Sequence, residues 1–243
     1  MKRILNLIFL LLAATLGFSQ GDAPSPAAVT TSTAQASVDD LQSVLAQMNQ
    51  AAGGFKSAQG DFEYKIYQKV VDDLLVQKGR IYFRRTKKGV DAALQFNSPD
   101  DKQVLFKDGK LMMYEPKINQ ITEPDVSKNK ASVESFLSLG FGARGDDLLK
   151  DYDVKMEGWE NIDGAKTAKL QLVAKNEKLR NTYNKIVLWI DPVRDVILQQ
   201  QLFESAGNYR LAHYTNLKIN DKQLSSDAFN LKTSSHPKIV HPQ

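Results

Sequence analysis

Between Val104-Leu105-Phe106 and Leu111-Met112-Met113-Tyr114 the chain has room only for a tight reversal around Asp108-Gly109. A type I′ turn needs positive φ at both central residues, and Asp-Gly accepts it at low steric cost, so this dipeptide sets two antiparallel strands side by side. The constraint extends over Gly79–Pro124, where four or five short apolar runs are separated by turn residues. That is the pattern of a meander, and no run alternates with a long helix as it would in a parallel α/β chain. Ile81, Phe83 and Arg85 fall on one face of the first run, and Tyr82 and Arg84 on the other, because side chains alternate along a strand. Arg85 thus shares a face with Ile and Phe. A strand-end cation whose head reaches water would explain it.

The same period of two recurs along the chain. Phe62, Tyr64 and Ile66 alternate with Glu63, Lys65 and Tyr67, and further strands are expected at Leu74–Val76, Ala92–Phe96 and Gln120–Thr122. After Tyr152 the expected strands are Val154–Trp159, Lys166–Val173, Tyr183–Ile190, Val196–Phe203 and Tyr209–Ile219, with a short closing strand at Phe229 and Leu231. In Tyr209–Ile219 the face shared by Tyr209, Leu211, His213, Thr215, Leu217 and Ile219 is read as one side of the sheet. The tail from Ser234 is polar and is expected to fray.

Helical spacing appears twice. Ser37 begins an approximate capping box, Val38, Leu41, Val44, Leu45 and Met48 share a helical face, and Gly53-Gly54 stops the run. Near the middle, Val133, Phe136 and Leu137 are helically spaced, followed by a glycine-rich joint and a short helix through Leu148-Leu149. Gly140-Phe141-Gly142-Ala143-Arg144-Gly145 formally matches G-x-G-x-x-G. A dinucleotide site needs that motif to follow a strand and open a helix in a βαβ unit. Here it follows a helix among antiparallel strands, so it reads as a hinge between two short helices. The fold class is α+β: a curved antiparallel β-sheet, an unclosed half-barrel of about eleven strands, with an N-terminal helix and a mid-chain helical insertion as lid.

Lys2 and Arg3 precede an apolar run, Ile4–Leu16, that is too short to span a bilayer, and Gly17-Phe18-Ser19 places small residues at a cleavage site. Residues 1–19 are therefore expected to be a signal peptide, residues 20–36 a disordered Ala/Ser/Thr/Pro leader, and residues 37–243 a single domain. The mature protein is then expected to be exported and soluble. With no cysteine, the chain has no disulfide framework, no thiol nucleophile and no cysteine for lipid anchoring. Cleavage would remove Lys2 and Arg3 and no acid, lowering the net charge from +4 to +2. The basic cluster Arg84, Arg85, Lys87 and Lys88 has no aromatic interleaving, so no nucleic acid partner is expected.

No catalytic constellation is present. His213 lies mid-strand, His236 and His241 lie in the tail, and the chain has no G-x-S-x-G, H-E-x-x-H or P-loop sequence. The acid pairs Asp39-Asp40 and Asp146-Asp147 sit at helix starts, where the macrodipole accounts for them. Neither an enzyme nor a cofactor nor a metal site is expected. What remains is binding: a curled sheet with helical covers can enclose an apolar cavity, and a packed core fits the same pattern.

Taken in order, several short pieces resemble the LolA-like periplasmic carriers of outer-membrane lipoproteins. They are the helix after the signal peptide and Gly79-Arg80-Ile81-Tyr82-Phe83-Arg84-Arg85, then Ser98-Pro99, Asp108-Gly109-Lys110, Tyr114-Glu115-Pro116 with Asn119-Gln120, Leu139-Gly140-Phe141-Gly142 and Leu188-Trp189-Ile190-Asp191. The resemblance implies an unclosed barrel whose helical lid covers an apolar cavity. It implies acylated lipoproteins as cargo, an inner-membrane ABC lipoprotein-releasing transporter as donor and an outer-membrane receptor as acceptor, with the carrier a monomer. Arg85 would be the lid latch, hydrogen-bonded to lid backbone, although Thr86 stands where the family has proline. The ligand-binding lining on this reading is Phe62, Tyr64, Ile81, Phe83, Leu94, Phe96, Met112, Tyr114, Phe136, Leu137, Phe141 and Trp189. A non-enzymatic lipid- or lipoprotein-sensing protein on the same half-barrel is the alternative.

Overall fold

The computed structural model describes residues 31–242; the expected signal peptide and residues 20–30 of the expected leader lie outside the described residues. Helix α1 (Thr31–Ala52) leads into six strands: β1 (Ser57–Gln68), β2 (Asp73–Thr86), β3 (Gly89–Ser98), β4 (Lys102–Lys107), β5 (Lys110–Glu115) and β6 (Gln120–Thr122). Two short helices, α2 (Lys130–Ser138) and α3 (Gly145–Asp151), separate these from β7 (Tyr152–Ile162), β8 (Ala165–Ala174), helix α4 (Glu177–Thr182), β9 (Lys185–Asp191), β10 (Val196–Phe203), β11 (Tyr209–Ile219) and β12 (Lys238–Val240).

All twelve strands form one open sheet in the order β12-β6-β5-β4-β3-β2-β1-β11-β10-β9-β8-β7. Two meanders, β1–β6 and β7–β11, meet where β1 pairs antiparallel with β11. The expected α+β half-barrel with helical segments is what the chain forms. At the Asp108-Gly109 turn both residues have positive φ, and Lys107 stands opposite Lys110. That register puts Phe106 against Leu111 and Val104 against Met113, so the turn decides which side chains share a face.

One large apolar cluster occupies the concave face. Phe62, Tyr64 and Ile66 of β1, Ile81 and Phe83 of β2, and Ile186, Leu188 and Ile190 of β9 belong to it, together with Val44, Leu45 and Met48 of α1, Val133 and Phe136 of α2 and Leu148 of α3. The helices therefore pack on the concave face. A smaller cluster on the convex face joins Tyr82, Ala93, Leu105 and Phe229.

Several expectations need correction. Phe229 closes a 3-10 turn (Ser226–Phe229) rather than a strand, because its ring is fully buried and packs edge-on to Tyr82 with the Arg84 guanidinium 4.1 Å above it. The tail is tied down. Gln103 and Lys232 exchange two hydrogen bonds, the Lys107 ammonium donates to the Phe229 carbonyl, and β12 pairs parallel with β6. The α1 helix starts at Thr31, not Ser37; no Gly or Pro lies between Pro26 and Gly53 to stop it. Leu74–Val76 and the Gly79 run are one continuous strand. Helix α4 escapes the alternation reading because it is short, yet Asn176 caps it by accepting from the Leu179 N–H at 3.1 Å.

The C-terminal segment is thus an integral layer of the fold. Replacing Phe229 with Ala is expected to destabilise the protein by about 3–5 kcal/mol, the usual loss for a buried aromatic, measured by urea unfolding. A loss below about 1 kcal/mol would mean that the segment is only draped on the sheet.

Candidate functional site

Arg85 ends β2 at the rim of the concave face, and its backbone N–H donates to the Lys56 carbonyl at 2.8 Å. Its guanidinium reaches both covering elements. Nη1 donates to the Ala52 carbonyl at the end of α1 at 2.7 Å, and Nη2 donates to the Gly142 carbonyl between α2 and α3. The Phe55 ring lies 5.6 Å from the guanidinium carbon, a cation–π contact. Although Arg85 is exposed overall, both of these side-chain bonds go to backbone outside the sheet.

The glycine-rich joint is built for close approach. Gly142 has φ +70°, and a Cβ there would stand 2.4 Å from the Phe55 ring. A Cβ on Gly140 would meet Ile197, and one on Gly145 would lie 2.5 Å from the Leu45 carbonyl of α1. The G-x-G-x-x-G spacing therefore lets a covering loop lie against both α1 and the sheet, and no phosphate role is needed. Backbone bonds fix it there: Gly142 N–H to the Asp195 carbonyl at 3.0 Å and Ile197 N–H to the Gly140 carbonyl at 3.0 Å. Asn49 of α1 completes the joint by accepting from the Asp146 N–H at 3.2 Å, so one helix caps the next.

Asp195 sits under this loop at the start of β10. It is 2% exposed, its backbone is left-handed at φ 52°, and its Oδ2 is buried without a hydrogen-bond partner. Burial pushes its carboxyl up to about 7, with the nearby Arg85 pulling the other way. Nothing in the alternation of the sequence marks Asp195; it is the last residue of the Asp191-Pro192 turn.

The expected lining divides by face. Phe62, Tyr64, Ile81, Phe83, Phe96, Phe136 and Phe141 belong to the concave cluster, and Leu94 and Leu137 pack against it. Met112 instead packs against the convex cluster. Tyr114 shares Met112's face; its hydroxyl donates to Asn119 Oδ1 at 3.0 Å. Trp189 alternates with Leu188 and Ile190, and its Nε1 donates to Glu160 Oε2 at 2.6 Å on the other face. The tight Asp108-Gly109 register already pairs Phe106 with Leu111, so Met113 rather than Met112 faces inward. In β11 the inward residues are Arg210, Ala212 and Tyr214 and, beyond a shift in the register with β1, Leu217 and Ile219, so the odd positions change face along the strand; His213 bonds Asp163 Oδ2 at 2.7 Å on the outside.

The concave interior is filled by these side chains. Neither the recess beside Asp195, lined by Met48, Gly142, Ile190 and Ile197 among others, nor a second on the convex side, beneath Leu231, leaves room for a water molecule. Ligand pockets usually hold roughly 300–1,000 Å³, so an acyl chain would enter only if the cover moved. Among the described residues no helix is long and apolar enough to cross a membrane.

An open antiparallel half-barrel, with two helical segments held over its apolar concave face, is the class of protein that this geometry defines. The chain belongs to the family whose model matches residues 90–234 and carries the description "-like: Uncharacterized protein". No curated protein matches it in sequence. Similar solved structures include MucB, 15% identical with a TM-score of 0.52, over 83% of this chain and 66% of that one. Another is a conserved protein from Thermus thermophilus, 10% identical with a TM-score of 0.52, over 84% of this chain and 99% of that one. A LolA superfamily protein from Nitrosomonas europaea is also among them, 13% identical with a TM-score of 0.38, over 79% and 97%. The LolA superfamily is thus among the structural neighbours, while the likeness of fold rests on the first two. This chain spans about two thirds of MucB.

Asp195 gives the joint a pH signature. Its folded value of about 7 lies above the ordinary 3.8, so between these values the folded state holds a proton that the unfolded state has lost. Stability is then greatest below about pH 4, falls as pH rises towards 7 by at most about 1.4 kcal/mol per unit, and is flat above. Asp195→Asn should remove this decline, and thermal unfolding of both proteins across pH 4–8 measures the difference. Parallel profiles would show that Asp195 titrates normally.

Proposed function

We propose that this chain is a non-enzymatic carrier that binds acyl chains of lipids or lipoproteins on its concave face. The observation that carries the reading is Arg85, which ties the ends of both covering elements to one strand end. Beneath the cover the surface is mainly apolar, and the polar ties between cover and sheet are concentrated at one rim. A two-state cover follows: closed by a few directional bonds, opened when a ligand offers comparable apolar contact. Each buried CH₂ is worth about 0.8 kcal/mol, so acylated proteins do not leave membranes unaided and a soluble carrier must replace that contact.

In the finer form of this proposal, residues 1–19 are a signal peptide, residues 20–36 a leader and residues 37–243 the carrier domain, acting in the periplasm. Acylated lipoproteins would be received from an inner-membrane ABC transporter and passed to an outer-membrane receptor. The support is the ordered set of LolA-like sequence pieces and this chain's own open half-barrel with helices over its concave face. The bonds that Arg85 re-forms on closing would help expel the ligand. Arg85→Leu should therefore load an acylated lipoprotein as the wild type does but release it poorly to acceptor vesicles. Unchanged release rules the latch out, and wild-type protein that binds neither lipoprotein nor any acyl probe overturns the carrier.

The filled interior favours a second reading, a lipoprotein- or envelope-protein-sensing domain that carries nothing. MucB, of similar fold, has been solved in complex with MucA. Native mass spectrometry of the protein taken from its own cell envelope separates the two: co-purified lipid is expected of the carrier, and a lipid-free protein bound to a polypeptide partner would favour the sensor.

A further inference from the structure

Ten residues along β1 from the Arg85 rim, roughly 30 Å at strand spacing, a second arginine lies inside the sheet. Arg210 stands opposite Ile66 of β1 and Leu202 of β10. Both are members of the concave cluster, and cross-strand partners share a face. The Arg210 side chain is only 9% exposed, and Nε donates to Glu204 Oε1 at 3.0 Å, which compensates its charge. Donors are left over. Arg210 Nη1 and the Tyr183 hydroxyl are both buried without a hydrogen-bond partner. Burial pushes the Tyr183 hydroxyl up to about 12, so it keeps its proton at neutral pH. The Tyr64 hydroxyl, on β1 beside β11, is in hydrogen-bonding and charge contact with the Arg210 guanidinium and in charge contact with Tyr183.

Buried donors without acceptors are costly and rarely retained. The space beside them is held by the cover itself: Phe136 of α2 stacks on Tyr183, with ring centroids 6.3 Å apart and planes 12° apart. Lifting α2 would withdraw Phe136 and leave an apolar slot ending at two unused donors. Because Glu204 already neutralises the guanidinium, a carboxylate or phosphate entering the slot would meet that acid as well as the arginine. A neutral acceptor meets only the free donors.

We propose that Arg210 and Tyr183 form a head subsite that receives the ester or amide carbonyl of an acyl ligand when Phe136 is displaced. It rests on the acyl-carrier reading and names the ligand chemistry that reading leaves open. Ester carbonyls belong to glycerol-linked acyl chains, and amide carbonyls to chains linked to an amine.

The test is displacement of fluorescent N-phenyl-1-naphthylamine from the full mature chain by methyl palmitate, N-methylpalmitamide, sodium palmitate and hexadecane. Methyl palmitate, N-methylpalmitamide or both should compete about tenfold more tightly than hexadecane or palmitate, as expected for one good buried hydrogen bond. Whichever is preferred identifies the ester or the amide source. Tyr183→Phe keeps the ring that Phe136 stacks on, and Arg210→Met with Glu204→Gln removes the ion pair without stranding a charge. Both should abolish the preference while leaving the affinity for hexadecane unchanged. Equal affinities for all four ligands, palmitate binding tightest, or a preference that survives both variants overturns the subsite alone. A protein that takes up no ligand overturns the subsite and the carrier together.

Discussion

A twelve-stranded open sheet with an apolar face cannot stay flat and bare. It curls, and the concave face must be covered or it will recruit another molecule. Much of the chain answers that demand. The α1 helix and the α2–α3 pair bring Val44, Met48, Val133, Phe136 and Leu148 onto the concave cluster, while the segment through Phe229 covers the convex side of β2–β5. The two coverings differ in kind. The convex one is stitched along its length, by Gln103 to Lys232, Lys107 to Phe229 and β12 to β6. The concave one rests mainly on non-directional burial, with directional ties gathered at Arg85 and the Gly140–Gly142 loop. Burial alone fixes no geometry, so those few ties decide how the cover sits.

The architecture was legible in the sequence because it depends on local signals. Asp108-Gly109 marks a reversal, and the period-two alternation along the chain gives strands whose ends lie close to those found. Facing was less legible. Ile81 and Phe83 read correctly because their neighbours Arg80 and Arg84 are charged, but Leu111-Met112-Met113-Tyr114 and Val187-Leu188-Trp189-Ile190 are apolar on both sides. In such runs only the register decides, and a slip of one residue turns Met112 and Trp189 from convex to concave. Phe229 misled for a related reason: read as part of a short closing strand, it is held instead by Tyr82 and Leu105, more than a hundred residues upstream.

The glycine-rich joint shows the same limit at the candidate site. The motif is visible in sequence, but its purpose depends on what stands opposite each glycine: Ile197, Phe55 and the Leu45 backbone. Arg85 was conspicuous as a cation on an apolar face. Asp195 and Arg210 were not, since each follows or sits among residues typical of a turn or an edge, and their burial is a product of the fold.

The two arginines of the concave face meet the cost of burial differently, and this sets the two ends of the groove apart. Arg85 remains partly in water and bonds neutral carbonyls. Asp195, which feels the Arg85 charge, is pushed up to about 7 by burial, so below that pH it is no firm counter-charge for the rim cation. Such a charge is tolerable only because solvent still reaches it. Arg210 is almost enclosed, and its buried charge is compensated by Glu204, whose carboxylate it holds at 3.0 Å. Opening the cover changes the Arg85 end most, because its partners belong to the elements that would move. At the other end the Arg210–Glu204 pair belongs to the sheet and its turn, and would keep its geometry with the cover raised or lowered. A groove with one yielding rim and one fixed polar end gives an entering chain a direction.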